Sequence, residues 1–194
     1  MSVALSPPGM TRAAFLDWAG TQEIPYEFDG ANHVALNGAT IHHGRIRGGL
    51  HAALRARLIG GRCELLGPQI GIATTGEAVR YPDALVTCTR TPGAARLVCD
   101  PVVVFEVLSP TSGRTDRIEK VREYHAVASI LRYVILEHTS AALTVFERRG
   151  ASDPWIATAL TADEILAMPE IGIEIPVAEL YQDVDLPSLE SKLT

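Results

Sequence analysis

Three residues supply the chemistry this chain could do: Asp83 in YPDALVTC, Glu106 in PVVVFEVLS and Lys120 in DRIEKVREY. Glu106 interrupts a run that otherwise reads as a fully buried strand. An ionised carboxylate there needs a partner, a proton or a metal, because burying it alone is costly. Asp83 follows Pro82 near the start of the preceding strand-like segment. If those strands are neighbours, the two acids meet at one end of a sheet, and their repulsion is relieved by a divalent cation. Mg²⁺ suits such an all-oxygen site, with Mn²⁺ as its substitute, since one or two carboxylates suffice when water and a substrate phosphate complete the shell.

Lys120 stands out by scarcity. The chain has fifteen arginines and two lysines, and the other lysine, Lys192, is in the C-terminal tail. Where arginine is so heavily preferred, an ordinary ion pair would use it. A compact ammonium with an adjustable pKa suits polarising a water or steadying a phosphorane. Tyr124, four residues on, shares its helical face. Each residue also has a plain structural reading. Asp83 could cap a turn, Glu106 could pair with a buried arginine such as Arg132, and Lys120 could form a surface pair with Glu123 or Asp116.

These residues need elements to position them. MTRAAFLDWA has helical spacing, and IPYEFDGANHVALNG reads as a hairpin turning at Asp29-Gly30. From His42 to Ile59, leucine or isoleucine recurs every four residues at Ile46, Leu50, Leu54 and Leu58, an amphipathic helix ended by Gly60-Gly61. CELLGPQIGIA, YPDALVTCT and PVVVFEVLS follow as strands, and Thr115 caps a second helix running to about Ala128. LRYVILE and ALTVFERR are two more strands. A strand near Trp155, a short helix at ADEILAM and IGIEIPVAELYQDV close the chain. Within PVVVFEVLS, Val104, Glu106 and Leu108 face one way and Val103, Phe105 and Val107 the other. Consecutive strands favour an antiparallel meander and the strand–helix–strand a parallel crossover. The expected fold class is therefore α/β, a central mixed sheet flanked by helices, with a flexible lead at 1–9, one domain over 10–185 and a polar tail at 186–194.

Composition narrows the function. The 47% hydrophobic content argues against disorder, and no apolar run is long enough for a membrane span, so a soluble cytoplasmic protein is expected. Net charge is −6, which does not mark a nucleic-acid binder. Yet Gly30 to Cys63 contains no acid, while Arg45, Arg47, Arg55, Arg57, Arg62 and four histidines lie there. That stretch is either a face for phosphates or a solvated helix. Cys63, Cys88 and Cys99 show no metal or disulfide spacing and read as small core residues.

YPD, FEVLSP and DRIEKVREY together resemble the Uma-two family of bacterial restriction-endonuclease-like proteins, in the PD-(D/E)XK nuclease superfamily. The resemblance runs from Met10 through the PYEFDG hairpin to IGIEIPVAELY. It implies a restriction-endonuclease-like core and Mg²⁺-dependent hydrolysis of DNA phosphodiesters. Asp83, Glu106 and the Val107 carbonyl would be metal ligands and Lys120 the catalytic cation. The superfamily usually carries that lysine two residues after the acid. Leu108 stands there, and the resemblance implies that in this family the lysine sits on the following helix, at Lys120. His43, Gln69, Arg45 and Tyr124 are candidates for binding substrate, and a homodimer would let both strands be cut. The rival reading is an inactive nuclease fold that serves as a DNA-binding or protein-interaction module.

Overall fold

The computed structural model describes residues 3–5, 9–36, 40–109 and 114–186. Inside the expected lead, Val3–Leu5 forms β1, so that stretch is not wholly irregular. The lead at 1–2 and 6–8, and the tail from 187 onward with Lys192, lie outside the described residues.

Thr11 starts α1 (Arg12–Ala19) by accepting a hydrogen bond from the Ala14 N–H, and the helix buries Phe15. The hairpin follows as β2 (Tyr26–Phe28) and β3 (Asn32–Ala35). Asp29 Oδ1 accepts from the N–H groups of Ala31 and Asn32 at 2.7 and 2.6 Å, and Gly30 takes the left-handed φ of +94° that the turn needs. Thr40 caps α2 (Ile41–Leu58), whose four-residue apolar repeat is buried as the pattern requires. Next come β4 (Glu64–Leu66), β5 (Gly71–Ala73), β6 (Val79–Arg80), β7 (Ala84–Thr87), β8 (Leu97–Val98) and β9 (Pro101–Val107). α3 (Arg114–Ala126) begins one residue before the cap expected at Thr115. β10 (Arg132–Leu136), β11 (Ala142–Glu147), β12 (Ile156–Thr161), β13 (Ile165–Met168) and β14 (Ile173–Pro176) complete the strands, and a 3₁₀ helix covers Val177–Tyr181.

The one mixed sheet expected is in fact two. The first has the order β1-β3-β2-β6-β5-β8 and the second β12-β11-β10-β9-β7-β4, with β13 and β14 as a separate pair. CELLGPQIGIA is divided between them, as β4 and β5. In the second sheet β9 and β10 run parallel across the α3 crossover, while β7–β9 and β10–β11 are antiparallel, as the connections predict. One face of β9 packs Val103, Phe105 and Val107 against α2 through Ile46, Leu50 and Leu54. The other packs Val104 and Leu108 with Tyr124 of α3 and Tyr133. Each such buried side chain stabilises by about 1.5–3 kcal/mol, so this double packing fixes β9 firmly.

Two further expectations are corrected. ADEILAM is not helical: β13 buries Leu166 and Met168 and exposes Ile165 and Ala167, the period of a half-buried strand. The cysteines are not three core residues. Cys63 and Cys88 flank the β4–β7 pairing at its Glu64↔Thr87 end and are joined in a disulfide, whereas Cys99 is exposed. No helix among the described residues is long and apolar enough to cross a membrane.

Candidate active site

The β7–β9 register brings the two acids together. Ala84 pairs with Phe105, which sets Asp83 beside Glu106, and Asp83 Oδ2 accepts from the Val107 N–H at 2.8 Å. Val107 meets Asp83 through its amide N–H, which puts the residue whose carbonyl is a candidate metal ligand beside that carboxylate. α2 reaches the same residue with a row spaced by four. His43 Nε2 lies 3.3 Å from Asp83 Oδ2, Arg47 Nη1 lies 3.7 Å from Oδ1, and His51 Nε2 is 2.8 Å from the Asp83 backbone oxygen. Burial works to raise the Asp83 pKa, but His43, the Val107 N–H and Arg47 together hold it below the ordinary value.

Glu106 lies on the α3 face of β9. Lys120 Nζ is 3.2 and 3.4 Å from its two oxygens, and the Tyr124 hydroxyl donates to Oε1 at 2.9 Å. Burial pushes the Glu106 pKa up to about 7; Lys120 opposes the rise, while the negative charges of Glu27 and Asp83 add to it. Tyr124 is fully buried, and its hydroxyl is pushed well above its usual pKa by burial and by Glu106. Asp83, Glu106, Lys120, Tyr124 and His43 thus converge. Arg132, the alternative partner for Glu106, bonds Glu147 and Glu170 instead. Glu123, the alternative partner for Lys120, is bound to Arg80.

The sequence reading missed Glu27. It is 2% exposed, accepts from Lys120 Nζ at 3.2 Å and the Tyr81 N–H at 3.1 Å through Oε1, and meets Arg80 at 3.2 Å through Oε2. Arg80 is equally buried and holds Glu123 through two donors at 2.8 and 2.7 Å; Thr74 also donates to Glu123. Glu27, Glu106, Glu123, Lys120 and Arg80 so form a buried chain that ties β2 and β6 of the first sheet to α3 and β9. A charged residue between Tyr26 and Phe28 reads as the solvent face of a hairpin, and only the scarcity of lysine hinted at a second partner.

Two candidates lie elsewhere. Arg45 pairs with Asp185 at 3.0 Å on the exposed side of α2, because the helix turns Arg47 rather than Arg45 toward Asp83. Gln69 is exposed with a φ of +74° and borders a cavity of about 380 Å³ whose lining includes Tyr26, Tyr81 and Arg96 but none of Asp83, Glu106 and Lys120.

The donor chemistry fits Mg²⁺ or Mn²⁺. Adjacent hard carboxylates, one held at about 7 by burial and like charge, gain most from a divalent cation. Among the described residues no group of three or more His, Cys, Asp or Glu side chains is arranged to hold a metal. Water and substrate oxygens would therefore supply the remaining positions.

Comparison with known proteins agrees with this architecture. The Uma2 family model, described as “Putative restriction endonuclease”, matches residues 12–178. The uncharacterized protein slr1290 of Synechocystis sp. is 25% identical over 177 residues, 90% of this chain and 93% of that one. A crystal structure described as “a putative nuclease belonging to DUF820” from Anabaena variabilis has the same fold, with a TM-score of 0.72 at 14% identity over 89% of this chain and 97% of the other.

Proposed function

Since the chain belongs to the Uma2 family, we propose that it is a Mg²⁺-dependent DNA endonuclease, with Mn²⁺ able to substitute. Asp83, Glu106 and the Val107 carbonyl hold the metal, and Lys120 is the catalytic cation. The ion, when bound, supplies a water of lowered pKa and neutralises charge on the phosphorane. Lys120 sits between Glu27 and Glu106, and its ammonium orients the attacking water and stabilises the pentavalent phosphorus. Tyr124 orients Glu106, and His43 orients Asp83. The single observation that carries this reading is the register placing Asp83 beside Glu106, with Lys120 on the latter.

The test is cleavage of plasmid DNA with and without Mg²⁺. Glu106→Ala is expected to lower the rate by about 100-fold or more. Equal cleavage by the variant, or none by the wild type with either metal, overturns the proposal. One observation favours the second reading, a non-catalytic DNA-binding or protein-interaction module: both Glu106 oxygens and Asp83 Oδ2 already have protein partners. That reading expects no Mg²⁺ uptake in calorimetry. A homodimer is part of the main proposal, and light scattering after size exclusion tests it.

A further inference from the structure

We propose that the flank of α2 bordering Asp83 carries the phosphodiester backbone of duplex DNA, with Gly44 and Gly48 giving it room and Arg47 and Arg55 meeting its charge. The choice of DNA rests on the nuclease reading; the flank itself is argued from the helix. At 100° per residue, the row His43, Arg47 and His51 that touches Asp83 is followed round the helix by Gly44, Gly48 and Arg55. All three are exposed.

A Cβ built on Gly44 or Gly48 would meet nothing within 4 Å, so no contact among the described residues requires glycine there. Gly49 is the contrast. It lies away from that flank, and a Cβ there would come within 2.7 Å of the Leu180 carbonyl oxygen, a close approach that explains it. After proline, glycine is the poorest helix former, and these two weaken a helix with no contact among the described residues in return. A bare helix surface leaves room for a large partner to approach closely.

Charge says what approaches. Beyond the flank Arg45, about 60° round from Gly48, is matched by Asp185, and on the far side of α2 Arg57 is matched by Glu179. On the near flank Arg55 makes no ion pair among the described residues. Arg47 keeps 37% of its side chain exposed at 3.7 Å from Asp83. No acid occurs between Gly30 and Cys63 to oppose a polyanion. His43, 9% exposed, also leaves a buried Nδ1 without a hydrogen-bond partner among the described residues. A duplex whose scissile phosphate reaches Asp83 and Glu106 would lay its adjoining phosphates along this flank.

The experiment measures binding of a fluorescein-labelled DNA duplex by anisotropy in EDTA over a salt series, with cleavage in Mg²⁺ or Mn²⁺ assayed separately. Gly44→Gln with Gly48→Gln should raise the melting temperature, since glutamine is the better helix former, and weaken binding by about tenfold or more. Arg55→Ala should weaken binding several-fold and reduce the slope of log K against log salt by about one. Arg149→Ala, in the β11–β12 turn, should change neither. A glutamine double variant that binds like the wild type overturns the proposal, as does a wild type that binds no duplex. If the wild type binds through the flank but cleaves nothing, the nuclease reading fails and the flank stands. If it cleaves and the double variant cleaves and binds equally well, the flank fails and the nuclease reading stands.

Discussion

Lys120 shares one ammonium between Glu27 and Glu106, whereas Arg148, just as buried, gives its guanidinium to the carbonyls of His125, Val127, Ile130 and Ala151. Arg132 resembles Arg148 in its fixed geometry, gripping Glu170 through two donors and Glu147 through a third. The arginine clusters hold the strands around β10 together, and their planar forks match fixed acceptors. The Lys120 cluster is built otherwise. Among the described residues it holds three glutamates, Glu27, Glu106 and Glu123, against two cations, Lys120 and Arg80, with Asp83 adding negative charge at its edge. A buried group left short of positive charge is poised for a further cation. The Arg132 group also sets two acids against one cation, but Glu147 is 44% exposed and water offsets its charge, whereas Glu27 and Glu106 are largely buried, and that contrast separates site from scaffold.

Exchanging the cations breaks the comparison most directly. Lys120→Arg keeps the charge but replaces a compact ammonium with a rigid fork between two acids. Cleavage should fall by about 100- to 1,000-fold. Arg132→Lys, in the scaffold, should leave the cleavage rate near wild type. Similar losses in both variants would show that Lys120 is merely another structural cation. The next largest effect is on stability. Arg148→Met keeps much of the aliphatic stem and leaves the acceptors of four donors unmatched, so chemical denaturation should show a loss of about 3 kcal/mol or more. A loss under about 1 kcal/mol would mean that water replaces the guanidinium, and the scaffold role would lapse.

The same contrast explains what could be read from the chain. Glu106 was legible because one acid stands in an apolar run, and Asp83 because a short connection predicted the antiparallel neighbour that the register supplies. Lys120 was legible by composition, and α2 by its repeat of four. Glu27 was not. Local alternation sends it outward between Tyr26 and Phe28, and it is buried only because the first sheet faces α3 and β9, a long-range fact. The division into two sheets was hidden for a related reason: strands as short as β6 and β8, two residues each, leave no periodicity. Arg45 and Arg47 differ by 200° round α2, a rotation that no motif specified until Asp83 was in place. The Cys63–Cys88 pair likewise depends on a β4–β7 register that the spacing does not reveal.

The smallest expected effect probes the charge imbalance itself. The Glu106 carboxyl titrates at about 7 in the folded protein, against 4.5 for an ordinary glutamate. Below 4.5 both folded and unfolded chains carry the proton, so the residue leaves stability independent of pH. Between those values the unfolded chain has lost the proton and the native chain still holds it, so stability falls as pH rises, and above 7 the loss is complete. Its size, without metal, is on the order of 3 kcal/mol. Glu106→Gln carries no such titration. In EDTA the variant should therefore gain several degrees in melting temperature relative to the wild type between pH 5 and pH 8. Asp83 acts in the opposite sense, but its lowered pKa confines that loss to more acid solution and affects both proteins alike. Adding Mg²⁺ at pH 8 should then raise the wild type and leave the variant almost unmoved, because a cation bound at Asp83 and Glu106 removes the repulsion that the amide never had. A gap that stays constant with pH and is indifferent to Mg²⁺ would mean that Lys120 alone neutralises Glu106, making this cluster as self-sufficient as the one around Arg132.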